Sequence, residues 1–120
     1  MTAHSYSAGL HKLLTLSVQE NDKLVSADAF LDFTRSVLRQ FELEEVGVSS
    51  HVFDNGSFTM AVCLKESHIC IHTWPEFSQL TLDVYLCNYL QDNSQKVREV
   101  ASAYVGYFSA QVVNENEIWR

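Results

Sequence analysis

Residues 65–76 hold most of the side chains in this chain that could do chemistry. The segment reads KESHICIHTWPE and contains two histidines, a cysteine, a tryptophan and two glutamates. Ser67 directly follows Glu66, so a hydroxyl stands beside its own upstream peptide carbonyl. A hydroxyl or thiol with a nearby base is what nucleophilic catalysis requires. The segment is compatible with a metal site, a dense part of the core, or a place where the chain reacts with itself.

Zinc binding is one alternative for this segment. His68, Cys70 and His72 alternate along a predicted strand, and Cys87 could lie nearby, so nitrogen and sulfur ligands could converge. Residues two apart on a strand, however, are spread along a line in steps of roughly 7 Å. The sequence also has no Cys-x-x-Cys pair, which is the usual zinc signature. We therefore expect no metal.

Two further alternatives are a serine hydrolase and simple packing. Ser67 and His72 are suitable residue types for a hydrolase, but no Gly-x-Ser-x-Gly elbow is present. Packing explains any single histidine or cysteine, since free cysteines are often buried and a histidine on a strand usually finds a hydrogen bond. Packing does not require the Glu-Ser corner, the Trp-Pro-Glu end and a second cysteine together.

The elements that position these residues follow from side-chain periodicity. An apolar stripe that includes Phe30, Val37 and Phe41 predicts a helix over about 27–41, with Ser26 as its N-cap. A second helix follows a cap at Asn93 or Ser94. Strands are predicted at 10–18, 44–53, 57–64, 68–73, 81–87 and 110–113.

Turn residues support these boundaries. Asp54-Asn55-Gly56 predicts a hairpin, because Asn-Gly tolerates the positive φ of a tight turn. Pro75 ends the strand before it, since proline cannot donate to a sheet ladder. The order β-α-β-β-β-β-α-β predicts an α+β fold, a two-layer α/β sandwich whose mostly antiparallel sheet carries both helices on one face.

Strand alternation separates aliphatic from reactive side chains. In 57–64, 68–73 and 81–87, every second residue is aliphatic and suits a face covered by helices. The alternate positions hold Thr59, His72, Trp74 and Cys87. These side chains are expected on a second face that meets solvent, a ligand or another subunit.

Composition limits the kind of protein. A length of 120 residues predicts one domain, 1–120, and 47% apolar residues predict a folded core. The net charge of −7 argues against nucleic acid or an anionic membrane as partner. No apolar run is long enough to span a membrane. Three cysteines without a signal-peptide pattern predict reduced thiols and a cytoplasmic location.

One family shares the central motif. Residues 66–76, read as Glu-Ser-His-x-x-Ile-His-Thr-Trp-Pro-Glu, are followed by Asp83 and Cys87, and His51-x-Phe53 lies upstream in register. This pattern resembles the prokaryotic S-adenosylmethionine decarboxylase proenzymes. The motif is contiguous, whereas the rest of the chain matches in length and element order.

The resemblance implies self-processing. Ser67 would attack the carbonyl of Glu66, and the chain would be cut into a β chain, 1–66, and an α chain, 67–120, that begins with a covalent pyruvoyl group. His72 is implied as the base that removes the Cα hydrogen. Thr59 stands where the family usually has serine, and the resemblance implies that its hydroxyl assists the cut.

The resemblance also implies a substrate site. The pyruvoyl carbonyl would hold the amine of S-adenosylmethionine as a Schiff base and act as electron sink during decarboxylation. Cys87 is implied as the proton donor, Phe53 and Trp74 as the adenine-stacking residues, and Glu76 as the ribose contact. The product would supply aminopropyl groups for polyamine (spermidine) synthesis, and the sites would lie at the interface of a homodimer of cleaved pairs.

Several positions depart from the family pattern. Phe77 replaces the common tyrosine, Asn88 replaces the frequent glycine, and Thr59 is bulkier than serine. Two alternatives stay open on these grounds: a decarboxylase of the same fold that acts on arginine or ornithine, and a non-catalytic relative that binds a nucleoside.

Overall fold

The structure, a computed structural model, describes residues 7–88 and 91–120. It contains six strands and two helices: β1 Leu10–Ser17, α1 Ala27–Gln40, β2 Glu45–Val52, β3 Phe58–Leu64, β4 Ser67–Trp74, β5 Gln79–Leu86, α2 Ser94–Phe108 and β6 Gln111–Trp119. Short 3₁₀ turns lie at Asp22–Val25 and Pro75–Phe77. The predicted element order is confirmed. Within the described residues, no helix is long and apolar enough to cross a membrane.

All six strands form one antiparallel sheet in the order β2-β3-β4-β5-β1-β6. β4 therefore lies between β3 and β5, with the chemically rich segment near the middle of the sheet. β6 continues well beyond the predicted 110–113. The polar Asn-Glu-Asn-Glu run of β6 has a low strand propensity. The strand nevertheless extends through this run, because eight residues of β1 pair with it.

Both helices cover one face of the sheet, so the predicted two-layer sandwich is confirmed. Phe30 of α1 is fully buried and contacts Phe58 of β3 together with Tyr104 and Phe108 of α2. The Tyr104 hydroxyl donates a hydrogen bond of 2.8 Å to Thr34 on α1, which satisfies the polar end of a buried ring. One continuous apolar core thus joins both helices to the sheet.

The predicted cap positions are right, but the capping bonds are not made. Ser26 precedes α1, yet its hydroxyl donates to the carbonyl of Asp22 at 2.7 Å. Asn93 precedes α2, yet its amide donates to the carbonyl of Cys87 at 2.8 Å. Each side chain serves the preceding loop, because that loop has carbonyls that need donors.

The uncovered face of the sheet carries the reactive side chains, and we refer to it as the open face. Direct cross-strand pairs place its members side by side. On the four middle strands it comprises Thr59, Ala61, Cys63, His68, Cys70, His72, Thr81, Asp83, Tyr85, His11, Leu13 and Thr15.

Candidate active site

The predicted site residues lie in two groups, at opposite ends of β4. The Ser67 cluster consists of Glu66, Ser67 and Cys87, at the corner between β3 and β4 and the end of β5. The His72 cluster consists of Phe53, Thr59, His72, Trp74 and Glu76, at the other end of the same strands.

The corner that precedes Ser67 is short and strained. Leu64 pairs directly with Ser67, so Lys65 and Glu66 alone connect β3 to β4. Glu66 has φ of 57°, in the left-handed region that favours glycine. A non-glycine residue held there costs about 1 kcal/mol. The backbone strain therefore lies at Glu66, the residue whose carbonyl forms the peptide bond to Ser67.

Contacts with the end of β5 fix the Ser67 cluster. The backbone N–H of Cys87 donates to Oγ of Ser67 at 3.0 Å. The Cys87 thiol donates to Oε2 of Glu66 at 3.4 Å. A hydroxyl, a thiol and a carboxylate from positions twenty residues apart thus meet in one place, and all three residues are at least partly exposed.

The His72 cluster is built on a cross-strand pair. Thr59 lies directly opposite His72, and its Oγ1 is 2.5 Å from Nδ1 of the imidazole. The same hydroxyl lies 3.3 Å from the carbonyl of Ile71. The His72 ring is exposed, and its centroid is 5.9 Å from that of Trp74. The threonine therefore orients an imidazole whose other nitrogen is open to a reactant.

A cleft of about 450 Å³ opens beside this pair. Two aromatic residues on its wall are strongly exposed: Phe53 at 50% and Trp74 at 39%. Exposed aromatic faces next to a carboxylate are typical of a ligand site rather than of ordinary surface. The cleft is lined by Phe53, Asp54, Asn55, Ser57, Thr73, Trp74 and Glu76.

The hairpin loop 53–57 forms one wall of the cleft. The predicted hairpin is confirmed, but Val52 pairs with Phe58, so the loop has five residues and Gly56, at φ 87°, carries the positive φ. Asn55 donates to Oε2 of Glu76 at 3.2 Å. The sequence identified Asn55 as a turn residue only, because nothing local shows that it meets a carboxylate 21 positions later.

The two clusters do not meet within one chain. Ser67 and His72 are five residues apart on β4, which is roughly 16 Å along the strand. Strand alternation also puts them on different faces, with Ser67 in phase with Ile69 and Ile71 and His72 on the open face. The structure brings Glu66, Ser67 and Cys87 together, and separately brings the remaining five predicted residues together.

Sequence analysis did not predict the pair of histidines that meet in the middle of the open face. His11 is 8% exposed, and its ring contacts His68 and Tyr85 edge-on at 5.3 and 5.5 Å. Its Nε2 lies 3.8 Å from Asp83, and its Nδ1 lies 3.4 Å from the Arg120 guanidinium. Burial lowers the pKa of both His11 and His68, and the Asp83 carboxylate opposes this effect. These residues are far apart in sequence, so no motif marks them.

Metal ligation finds no support in the geometry of the described residues. Among 7–88 and 91–120, no three His, Cys, Asp or Glu side chains are grouped so that they could hold an ion. Cys63, Cys70 and Cys87 are not joined in disulfides, and burial raises the pKa of Cys70.

Comparison with known proteins gives a consistent result. The sequence profile of the family described as S-adenosylmethionine decarboxylase matches residues 10–120. A proenzyme of that name from Clostridium botulinum (strain Langeland / NCTC 10281 / Type F) is 28% identical over 90 residues, 75% of this chain and 78% of the relative. One from Aquifex aeolicus (strain VF5) is 34% identical over 79 residues, 66% of this chain and 58% of the relative.

A solved structure shares the fold. The crystal structure of the adenosylmethionine decarboxylase from Aquifex aeolicus VF5 superposes with a TM-score of 0.77 and 24% identity. The match covers 96% of this chain and 90% of that one. The sheet and helix arrangement described above is therefore that of a known enzyme fold.

Proposed function

This chain belongs to the S-adenosylmethionine decarboxylase family, and from that premise we propose that it cuts itself between Glu66 and Ser67 and then decarboxylates S-adenosylmethionine. One observation carries the proposal. Ser67 follows a residue in the left-handed region, and its Oγ accepts a hydrogen bond from the Cys87 N–H. A strained peptide next to a positioned hydroxyl is the starting point that an acyl shift needs.

The cut is an exchange of an amide for an ester, followed by elimination. Ser67 Oγ attacks the Glu66 carbonyl carbon, the new C–O bond forms, and the C–N bond breaks to leave a free amine. A base then removes the Ser67 Cα hydrogen, and the Glu66 carboxylate leaves with the C–O electron pair. The enamine left behind takes up a proton at Cβ and becomes an imine, and water hydrolyses the imine and releases ammonia. The products are chain 1–66 and chain 67–120, the second with a pyruvoyl N-terminus.

The residues around Ser67 fit such a group. Its carbonyl, once formed, would bind the substrate amine and draw electrons as carbon dioxide leaves. Cys87 is the proton donor in this proposal, because its thiol and its N–H both lie in the Ser67 cluster. A thiol is a suitable donor since its pKa ordinarily lies near the working range.

The cleft beside the His72 cluster favours the nucleoside substrate over arginine or ornithine. Phe53 and Trp74 offer exposed aromatic faces for an adenine, and Glu76 offers a carboxylate for ribose hydroxyls. A sulfonium has no hydrogen-bond donors, so aromatic faces are a suitable way to hold its charge. Arginine and ornithine carry a cation too, but they have no adenine or ribose to occupy both rings and the carboxylate.

We place the complete site between two copies of the chain. His72 is roughly 16 Å along β4 from Ser67 in its own chain, too far to remove its Cα hydrogen. A two-fold axis that runs over the open face near Cys70, perpendicular to β4, would lay the open faces of two copies together and bring the strand end that carries Ser67 in one copy over the His72 end of β4 in the other. Each dimer would then have two composite sites, and the partly buried centre of the open face would lie between the copies.

Self-cleavage is tested by the intact mass of the purified protein. We expect two chains whose summed mass equals that of the precursor plus a water and minus an ammonia. Ser67→Ala should remain whole, because no hydroxyl can attack, whereas Ser36→Ala on the exposed side of α1 should be cut normally. A wild-type chain that stays whole on ageing contradicts the proposal, as does a cut at the same bond in Ser67→Ala.

Release of labelled carbon dioxide from S-adenosylmethionine, arginine and ornithine then identifies the substrate.

The composite site is tested by mixing two inactive variants. Ser67→Ala and His72→Ala should each be inactive alone, but a mixed dimer contains one site with both native residues. Co-expression at equal levels should recover roughly a quarter of the wild-type activity, since half the dimers are mixed and one of their two sites is intact. A co-expressed sample no more active than the single variants would show that each site is built within one chain.

A further inference from the structure

Two asparagines, the buried Asn88 and the partly exposed Asn93, hold the peptide that carries Cys87. The Asn88 side chain donates from Nδ2 to the Ala8 carbonyl at 2.9 Å and accepts at Oδ1 from the Asn93 N–H at 2.8 Å. The Asn93 side chain in turn donates to the Cys87 carbonyl at 2.8 Å. Asn88 is only 8% exposed, so its amide has both ends bonded in a place with little water. We refer to Ala8, Asn88 and Asn93 as the amide clamp.

The N-terminal segment presses against the same peptide. Gly9 is paired in both directions with Arg120, at 2.9 and 3.0 Å. A Cβ added to Gly9 would lie 2.5 Å from the Leu86 carbonyl oxygen and 3.1 Å from Cα of Cys87. The glycine is therefore required for the close approach that brings the Ala8 carbonyl to Asn88.

We propose that Asn88 is a positioning residue for Cys87, and that it acts with Gly9 to fix both the Cys87 N–H and its thiol against the Ser67 cluster. The catalytic meaning of this inference rests on the proposed function. β5 ends at Leu86, so Cys87 is the first residue beyond the strand. The amide clamp holds the peptide that follows this strand from the N-terminal segment on one side and from the start of α2 on the other.

Loss of the clamp should therefore affect the rates of cleavage and turnover but not substrate affinity. Loss of the clamp displaces the thiol and the N–H that contacts Ser67, so both self-cleavage and turnover should slow. A small misplacement of a reacting group can cost one to two orders of magnitude in rate. The cleft at Phe53, Trp74 and Glu76 is built from other elements, so substrate affinity should be preserved.

The first measurement compares Asn88→Ala and Gly9→Ala with two matched controls. Gln40→Ala removes an exposed amide, and Gly106→Ala adds a Cβ where nothing lies within 4 Å. We refer to Asn88→Ala and Gly9→Ala as the clamp variants, and we expect self-cleavage and kcat to fall about tenfold in both, with KM within about twofold of wild type. Both controls should match wild type. Circular dichroism checks folding, and Asn88→Asp, which keeps the acceptor but loses the donor to Ala8, replaces Asn88→Ala if that variant does not fold.

The second measurement does not depend on catalysis. In a Ser67→Ala, Cys63→Ser, Cys70→Ser background, Cys87 is the remaining thiol and the chain is expected to stay whole. Adding Asn88→Ala or Gly9→Ala should raise the rate of Cys87 alkylation by iodoacetamide severalfold, while Gln40→Ala and Gly106→Ala should not. Unchanged alkylation and unchanged kcat in folded clamp variants would overturn the inference. If the wild-type chain is neither cut nor active, the proposed function fails, and the alkylation rates still decide whether the clamp positions Cys87.

Discussion

At the scale of single residues, the hydrogen bond between Thr59 and His72 has the most direct bearing on chemistry. The hydroxyl lies 2.5 Å from Nδ1, and it belongs to the strand directly opposite. A hydroxyl that holds one imidazole nitrogen fixes the ring plane and leaves the other nitrogen to act as a base. Threonine makes this contact with a branched side chain, so its extra methyl group restricts rotation of the hydroxyl.

Substitutions at Thr59 should therefore distinguish the effect of its hydroxyl on self-cleavage from that of its methyl group. Thr59→Val keeps the shape but loses the hydrogen bond, and self-cleavage should slow about tenfold or more. Thr59→Ser keeps the hydroxyl and should cut at least as fast as wild type. Thr81→Val is the control, since Thr81 also lies opposite His72 but on β5. The time course of cleavage, followed by mass, measures all three; a normal rate in Thr59→Val would remove the hydroxyl from its proposed role.

At the scale of elements, the two-residue corner between β3 and β4 determines where the chain is reactive. Glu66 is one of four non-glycine residues with positive φ in the described ranges, and it immediately precedes Ser67. Ser109, at φ 47°, occupies the same backbone region at the end of α2, where such a conformation is a normal helix terminus. The same backbone conformation thus ends a helix at Ser109 and strains a tight corner at Glu66.

This contrast gives a matched pair of glycine substitutions. In the Ser67→Ala background, both Glu66→Gly and Ser109→Gly should raise the free energy of unfolding by about 1 kcal/mol, because glycine adopts positive φ at little cost. With Ser67 present, only Glu66→Gly should slow cleavage, by about fivefold if the released strain is worth about 1 kcal/mol. Urea unfolding and cleavage rates measure the two effects.

Glu66→Gln is the control for the lost carboxylate in that pair. It keeps a side chain and therefore the backbone strain, so its cleavage rate should stay closer to wild type than that of Glu66→Gly. If Glu66→Gly cuts as fast as wild type while it stabilises the uncut protein, backbone strain at the corner does not drive the reaction.

At the scale of the whole molecule, the order of strands interleaves the two halves of the proposed cut. Residues 1–66 contribute β1, β2 and β3, whereas 67–120 contribute β4, β5 and β6. In the sheet, β3 pairs with β4, and β1 lies between β5 and β6. Three strand interfaces therefore join the halves, along with the shared core between α1 and α2. Breaking one peptide bond does not release either half.

Two histidines of the open face, the buried His11 and the partly buried His68, predict how stability depends on pH. Burial lowers the pKa of His11 and His68 in the folded protein, so below about pH 6.5 the unfolded chain binds protons more readily than the folded one. Stability should therefore be full above that pH and fall as the pH drops through the folded pKa values. The groups facing His11 are Asp83, which opposes this shift, and His68 and Arg120, which reinforce it, with the Tyr85 ring packed alongside.

Thermal unfolding between pH 7.5 and 5 at fixed protein concentration measures this effect. His11→Gln should reduce the loss of stability on acidification. His51 is exposed on β2, so His51→Gln should leave that loss unchanged. The Glu117 carboxylate does not affect this measurement. Arg98 and Lys12 lower its pKa to about 2, so its contribution to stability is lost only below about pH 4.5. An equal slope in His11→Gln and wild type would mean that this histidine does not titrate with unfolding.

Much of the molecule was determined by the sequence alone. Alternation of apolar residues predicted which faces of β3, β4 and β5 are buried, and a helical stripe predicted α1 to within a residue at its end. The motif at 66–76 indicated the family, because it depends on residue identity at fixed spacing within one short segment. Such patterns depend only on residues close together in the sequence, so they predict the elements and the motif.

Tertiary structure decided how these parts meet. The motif presents Ser67 and His72 as neighbours, but an extended strand keeps them roughly 16 Å apart, on different faces. Asn88, Asn55 and His11 gain their surroundings from residues tens of positions away, and no local pattern reports such contacts. Spacing in sequence becomes distance in space only once the pairing of strands is known, and that pairing depends on the energy of the whole sheet and core.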